Sequence, residues 1–246
     1  MLNLLLRLLG FLSNKQPLQV TQTSLAPQPA SALSSIKMKS SEAAIELIHR
    51  FEGFDQPWIW PGGQSGITIG YGYDLGYEPS FLHDWCGLLT VVQMSRLNAA
   101  LGIKGETAHS MSHNFKDIRI PEHAAELVFH DITLPDYELQ VMRTFPNSEK
   151  LPPDAFGGLV SLIYNRGTEL VDDPGSDRRK EMRNIFLLLK GWDGSSPLIL
   201  ANVADQVDAM KRLWPDRQNS DCDLHDRREA EAGLIRNAKF ATLAKV

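Results

Sequence analysis

Between Glu52 and Gly76 the chain reads E-G-F-D-Q-P-W-I-W-P-G-G-Q-S-G-I-T-I-G-Y-G-Y-D-L-G, and the residues on either side of its middle obey incompatible periods. Up to Glu52, apolar residues fall at Ala44, Ile45, Ile48 and Phe51, the spacing of an α-helix with one buried face. From Ile67 to Asp74 apolar and small or polar residues alternate strictly, which is the period of a strand. Gly53 stops the helix, and Pro61-Gly62-Gly63 through Gly66 supplies a turn. Any fold for this chain must therefore carry a helix straight into a small sheet.

Ser40 or Ser41 caps the expected helix, and Glu42 lies in its first turn, where the helix dipole favours negative charge. Glu52 follows Ile48 by four residues and Ile45 by seven, so it projects from the buried face. It also lies in the last turn, where the dipole disfavours an anion. Burial and position together equip such a carboxyl to donate a proton. An exposed glutamate at a frayed helix end is the plainer alternative.

The alternating run is expected to form one strand. Ile67, Ile69, Tyr71 and Tyr73 would pack on one face, with Thr68, Gly70, Gly72 and Asp74 on the other. Two glycines between a hydroxyl and a carboxylate leave bare backbone, over which a sugar ring can lie. Trp58-Ile59-Trp60 is the expected partner strand. A small structural hairpin, with glycines serving bulges, is the alternative.

The combination of helix-terminal Glu-Gly, Gly-rich hairpin and T-I-G-Y-G resembles the phage-type lysozymes, glycoside hydrolase family 24. The resemblance implies that Glu52 is the catalytic acid and that Thr68 helps place the attacking water. The family's Asp just before the Thr is missing here, since Pro61-Gly62-Gly63 occupies its place. Asp55, the nearest upstream carboxylate, lies too close to Glu52 in the chain to match. The divergent branch that includes the bacteriocin pesticin is more similar. There the second carboxylate follows the Thr-containing strand, as Asp74 does. Three further stretches carry the resemblance, one of them the helix over 182–190 with Gly191, which resembles a Leu-rich helix of the family without its Ser-Thr cap. Tyr164-Asn165-Arg166-Gly167 ends a helix opening at Pro153 whose broad apolar face suits the core, and Leu224 to Leu234 resembles the family's closing helix. Asn165 is either a substrate contact or a helix C-cap. Arg227 and Glu231, one turn apart, are expected to pair on the helix surface.

The resemblance implies an α+β, mostly α, lysozyme-like fold with a small antiparallel β-hairpin sheet beside a helical lobe. It also implies a muramidase cleaving the β-1,4 bond between N-acetylmuramic acid and N-acetylglucosamine. Glu52, Thr68 and Asp74 are the expected catalytic residues, with Asp74 polarising a water or stabilising the oxocarbenium-like transition state. Gly70, Gly72, Tyr73 and Asn165 are the expected substrate contacts. No cofactor or metal is expected. A lytic transglycosylase, a non-catalytic cell-wall-binding module and a membrane-disrupting N-terminus are the rival readings.

The chain's 246 residues suit one good-sized domain with an extension, and its net charge of −5 gives no electrostatic case for nucleic-acid binding. Residues 1–38 are read as an amphipathic segment, M-L-N-L-L-L-R-L-L-G-F-L, and a Pro-, Ser- and Gln-rich linker. The Leu-rich segment suits an export signal, an interfacial helix, a docking helix or a helix packed on the domain. Residues 39–246 form the expected catalytic domain. Peptidoglycan is the expected substrate. A membrane, a secretion component or an immunity protein is a candidate partner, through the N-terminal segment or the cleft. Synthesis in the cytoplasm and action in the periplasm or cell wall would follow, by phage release or by secretion as an antibacterial effector.

Elsewhere helices are expected in two pieces over 79–101 and over 121–137, 153–167, 182–190, 203–214 and 224–235, with a loop over 102–115 and a polar loop over 169–180. His109 and His113 stand four apart but lack a third ligand at matching spacing. Cys86 and Cys222 either bridge or remain thiols.

Overall fold

The computed structural model describes residues 39–215 and 220–240, with the side chains of 220–222 left out. The N-terminal segment and its linker lie outside the described residues, and so does the side chain of Cys222; Cys86 is exposed. The described part is mostly helical, with one two-stranded antiparallel sheet. No described helix is long and apolar enough to cross a membrane.

Helix α1 (Glu42–Glu52) starts and ends as its sequence dictates. The Ser41 hydroxyl accepts from the Ala44 amide at 3.3 Å, and Gly53, at φ 71°, donates its N–H to His49 O. Ala44, Ile45 and Ile48 are buried.

The run Ile67–Asp74 does not form one strand. It folds back on itself as β1 (Thr68–Ile69) and β2 (Tyr73–Asp74), with Thr68 opposite Asp74 and Ile69 opposite Tyr73. Gly70 at φ 62° and Gly72 at φ 75° turn the chain between them. The expected Trp58–Trp60 partner is not a strand either. Asp55 takes that place, its amide donating to Gly70 O at 2.7 Å and Gly70 N–H returning a bond to Asp55 O at 3.0 Å. The change matters for chemistry. Six residues along a strand would separate Thr68 from Asp74 by about 20 Å; pairing across a hairpin brings their backbones to about 5 Å.

Helices α2 (Phe81–Asp84) and α3 (Val91–Asn98) are the two expected pieces, the second opened by a Thr90–Gln93 capping box. The expected loop over 102–115 is instead α4 (Gly105–Ser112) and a 3-10 turn, His113–Phe115. Gly105, Ala108, Ser112 and Phe115 form its buried face. Small residues carry most of that stripe, so its helical period is almost silent in hydropathy. Helix α5 (Glu122–Val128) runs through a π-helical turn, Phe129–Thr133, into α6 (Leu134–Thr144), well past the expected end at Tyr137. Pro135 has no N–H to donate, and the π turn lies where the regular ladder would lose that bond.

Helix α7 (Pro153–Arg166) is buried without a break from Ala155 to Ile163 and forms the hub. Helices α1, α6 and α10 (Ser220–Asn237) all pack on it. Two adjacent glycines make this possible. A Cβ on Gly157 would stand 2.2 Å from the Ala44 Cβ of α1, and one on Gly158 2.7 Å from Ile235 of α10. The backbones therefore approach closely at the start of α1 and the last turn of α10, and α1 and α10 also pack on each other. Helix α9 (Leu198–Ala209) packs on α10, and α8 (Lys180–Lys190) packs on α9. The polar loop before α8 is tied down by Asp172, which accepts from Arg183 at 2.6 Å and from the Arg179 amide at 2.7 Å.

Candidate active site

Glu52 is half-buried at the end of α1, and its two oxygens have different surroundings. Oε1 accepts from Arg227 Nη1 at 2.6 Å. Oε2 faces the hairpin, where a Cβ on Gly72 would lie 3.4 Å away. The Arg227–Glu231 pair is not on the surface as expected: Arg227 is 3% exposed and Glu231 is fully buried. Glu231 Oε1 also accepts from Ser161 Oγ at 2.7 Å and from Arg228 Nη2 at 2.9 Å. Arg227 additionally donates to Ser161 O at 3.0 Å, so α7, α10 and the end of α1 share one buried ionic network. Burial pulls the Arg227 pKa down, but Glu231 and Glu52 more than reverse it and hold the guanidinium charged. The period of α10 could reveal the pair in sequence, but not its contact with Glu52, because that depends on how two distant helices cross.

Asp74 lies opposite Thr68, and its carboxylate is engaged by backbone amides. Its Oδ1 accepts from the Gly76 amide at 2.7 Å and from the Gly66 amide at 3.0 Å, and Oδ2 shares the Gly66 bond at 3.0 Å. The side chain clamps the two ends of the hairpin. Gly66 leaves room for this, since a Cβ there would overlap Asp74 Oδ1 at 2.4 Å. Thr68 is buried, and its hydroxyl oxygen has no partner in the protein. A buried hydroxyl without a partner is a natural anchor for an internal water.

Asp55, set aside in the sequence for its closeness to Glu52, belongs to the site. Its main chain bridges to Gly70, and its carboxyl lies near the Gly72 amide. Burial, then the charges of Glu52 and Asp74, push its pKa up to about 6, against the pull of that amide. Gly72 is thus flanked by two carboxyls, Asp55 toward its amide and Glu52 toward its α-carbon. The bridge from Asp55 to Gly70 could not be read from the chain, since alternation pointed to Trp58–Trp60.

Of the expected substrate contacts, only Gly72 adjoins the carboxyls. Gly70 is buried against α5, where a Cβ would meet Ala125 Cβ at 2.9 Å. Tyr73 is a core residue at 5% exposure, donating its hydroxyl to Asp84 at 2.7 Å and lying edge-on to Trp85. Both corrections have one cause: the reversal at Gly70 turns these residues into the packed side of a hairpin. Asn165 is exposed, and its Oδ1 accepts from Arg228 at 3.2 Å, while Gly167 caps α7.

Two tyrosines that the sequence did not single out for this role border the carboxyls. Tyr164 donates to Tyr71 O at 2.6 Å, next to Gly72, and stacks on Tyr137 with centroids 4.1 Å apart. Burial and the charges of Glu52, Glu78 and Asp136 push the Tyr137 phenol up to about 12, so it stays neutral and able to donate. Burial, with Asp136, Asp84 and Asp74, also raises Glu78. His109 stacks on Trp60 and lies 6.0 Å from His113, and the described residues contain no three-residue metal cluster.

No protein-family model matches this chain, and no curated protein matches it.

Proposed function

We propose that this protein is a peptidoglycan hydrolase with a lysozyme-like fold, similar to the phage-type lysozymes and their pesticin-like branch. It would cleave the β-1,4 bond between N-acetylmuramic acid and N-acetylglucosamine. The observation that carries this reading is the position of Glu52. It ends a helix, is anchored by a buried arginine through one oxygen, and turns the other toward a glycine backbone next to a stacked tyrosine pair. Bare backbone and aromatic rings suit a sugar, and a positioned carboxyl suits a glycosidic oxygen. Glu52 would protonate that oxygen as its bond to the muramic acid C1 breaks. Thr68, through its unpartnered hydroxyl, would hold a water near the hairpin, and Asp74 would keep the hairpin closed. Such an enzyme acts in the cell wall, delivered as an antibacterial effector or as an endolysin.

The test is digestion of purified peptidoglycan by the wild type and by Glu52→Gln, with products read by mass spectrometry. Glutamine keeps an acceptor for Arg227 but cannot give up a proton. The expected result is reducing-end muramic acid from the wild type and at least a ~100-fold loss in the variant. Anhydro-muramic products would change the reaction to transglycosylation. No products from the folded wild type would leave a binding module.

A further inference from the structure

We infer that Asp55, rather than Asp74, is the carboxylate that works with Glu52 on the substrate, as the base that takes the proton of the attacking water. This assignment rests on the glycosidase reading above and adds a residue to it. Both candidate carboxylates follow the catalytic helix, but their surroundings differ. The Asp74 oxygens are occupied by the amides of Gly66 and Gly76, and those bonds set the hairpin geometry. Carboxylate oxygens engaged by backbone amides have fewer lone pairs left to receive a proton from water. Asp55 has no ion-pair partner among the described residues, and its backbone rather than its side chain makes the bridge to Gly70. Its carboxyl adjoins Gly72 from the amide side, whereas Glu52 Oε2 adjoins Gly72 from the α-carbon side. A sugar ring seated on that glycine would meet both groups.

Asp55 is also a stronger base than an ordinary aspartate. Burial is the largest cause of its raised proton affinity, about pH 6, and burial acts whether or not Glu52 carries the proton it donates. The step balances as follows. A lone pair of the water oxygen forms the new bond to the muramic acid C1, and the old C1–O bond pair leaves with the glycosidic oxygen. That oxygen takes the Glu52 proton, and Asp55 takes a proton from the water. Proton exchange with solvent then reprotonates Glu52 and discharges Asp55.

The assignment is tested with Asp55→Ala and Asp74→Ala on peptidoglycan, with and without sodium azide. Circular dichroism checks that each variant is folded. Azide is an anionic nucleophile and needs no base, so it replaces water only where the missing group was that base. The expected result is a loss of at least 100-fold for Asp55→Ala, partly restored by azide with formation of a muramyl azide, and no azide product from Asp74→Ala. Azide product from Asp74→Ala alone would return the role to Asp74. An Asp55→Ala enzyme within tenfold of wild type without azide would overturn the assignment while leaving the hydrolase reading standing. A folded wild type that releases nothing would overturn both. If Asp55→Ala does not fold, Asp55→Asn serves instead, because asparagine keeps the size and shape of aspartate. It must then show the same loss and the same azide product.

Discussion

Asp55 should cost the folded protein stability wherever it is charged, and replacing it by asparagine should recover that cost. The folded structure pushes its pKa from 3.8 to about 6, through burial and the charges of Glu52 and Asp74. At ~1.4 kcal/mol per pH unit the ceiling is about 3 kcal/mol. Partial exposure and solvent screening bring the expected effect to about 1–2 kcal/mol. The sign follows from proton binding. With its folded-state pKa raised, Asp55 holds its proton more tightly in the native state than in the unfolded chain. Its contribution is fully present below about pH 4 and is lost as pH rises through about pH 6. Asparagine, neutral at every pH, mimics the protonated form. Urea denaturation followed by tryptophan fluorescence should therefore find Asp55→Asn and wild type nearly equal at pH 4, and the variant more stable at pH 8. A gap that is the same at both pH values, or a variant less stable than wild type at pH 8, would refute the electrostatic account of this site. A gain in stability together with a loss of turnover would mark Asp55 as a group kept for chemistry.

Two further outcomes test the frame that holds the site. Arg227→Met leaves Glu52 without its anchor and Glu231 with Arg228 as its one charge partner and the Ser161 hydroxyl as a donor; a loss of about 3–5 kcal/mol is expected in urea denaturation, and less than 1 kcal/mol would mean that the network is not energetically coupled. Gly157→Ala drives a methyl into Ala44, 2.2 Å away, and should lower stability by about 1–3 kcal/mol while spreading α1 from α7; unchanged thermal unfolding would show that the two helices do not approach as closely as described.

Much of this molecule is local in origin and could be read along the chain. Helix α1 is an example: its stripe, its serine cap and its glycine stop all lie in one unbroken run from Ser41 to Gly53, and the structure has the same helix. Helix α7 announces itself in the same way, through Pro153, a broad apolar run and Gly167. Alternation over Ile67–Asp74 predicts one strand where the structure has two, because it reports which residues avoid water, not where the chain reverses. Ile67, Ile69 and Tyr73 are buried on either side of a turn as readily as along a strand. Helix α4 was missed for the opposite reason, since glycine, alanine and serine supply most of its buried stripe.

By itself, then, the sequence determined the helices with strong local signals, a small sheet beside them, and Glu52 as a carboxyl at a helix end. Tertiary structure alone decided which groups surround that carboxyl. Arg227 reaches Glu52 because α1 and α10 pack on each other as well as on α7. Asp55 joins the site because its backbone bridges to Gly70, and Asp74 is drawn into clamping because the hairpin ends meet at Gly66 and Gly76. Periodicity records how far each residue is buried. Which oxygen receives which hydrogen bond depends on contacts between residues far apart in the chain, and no local pattern encodes them.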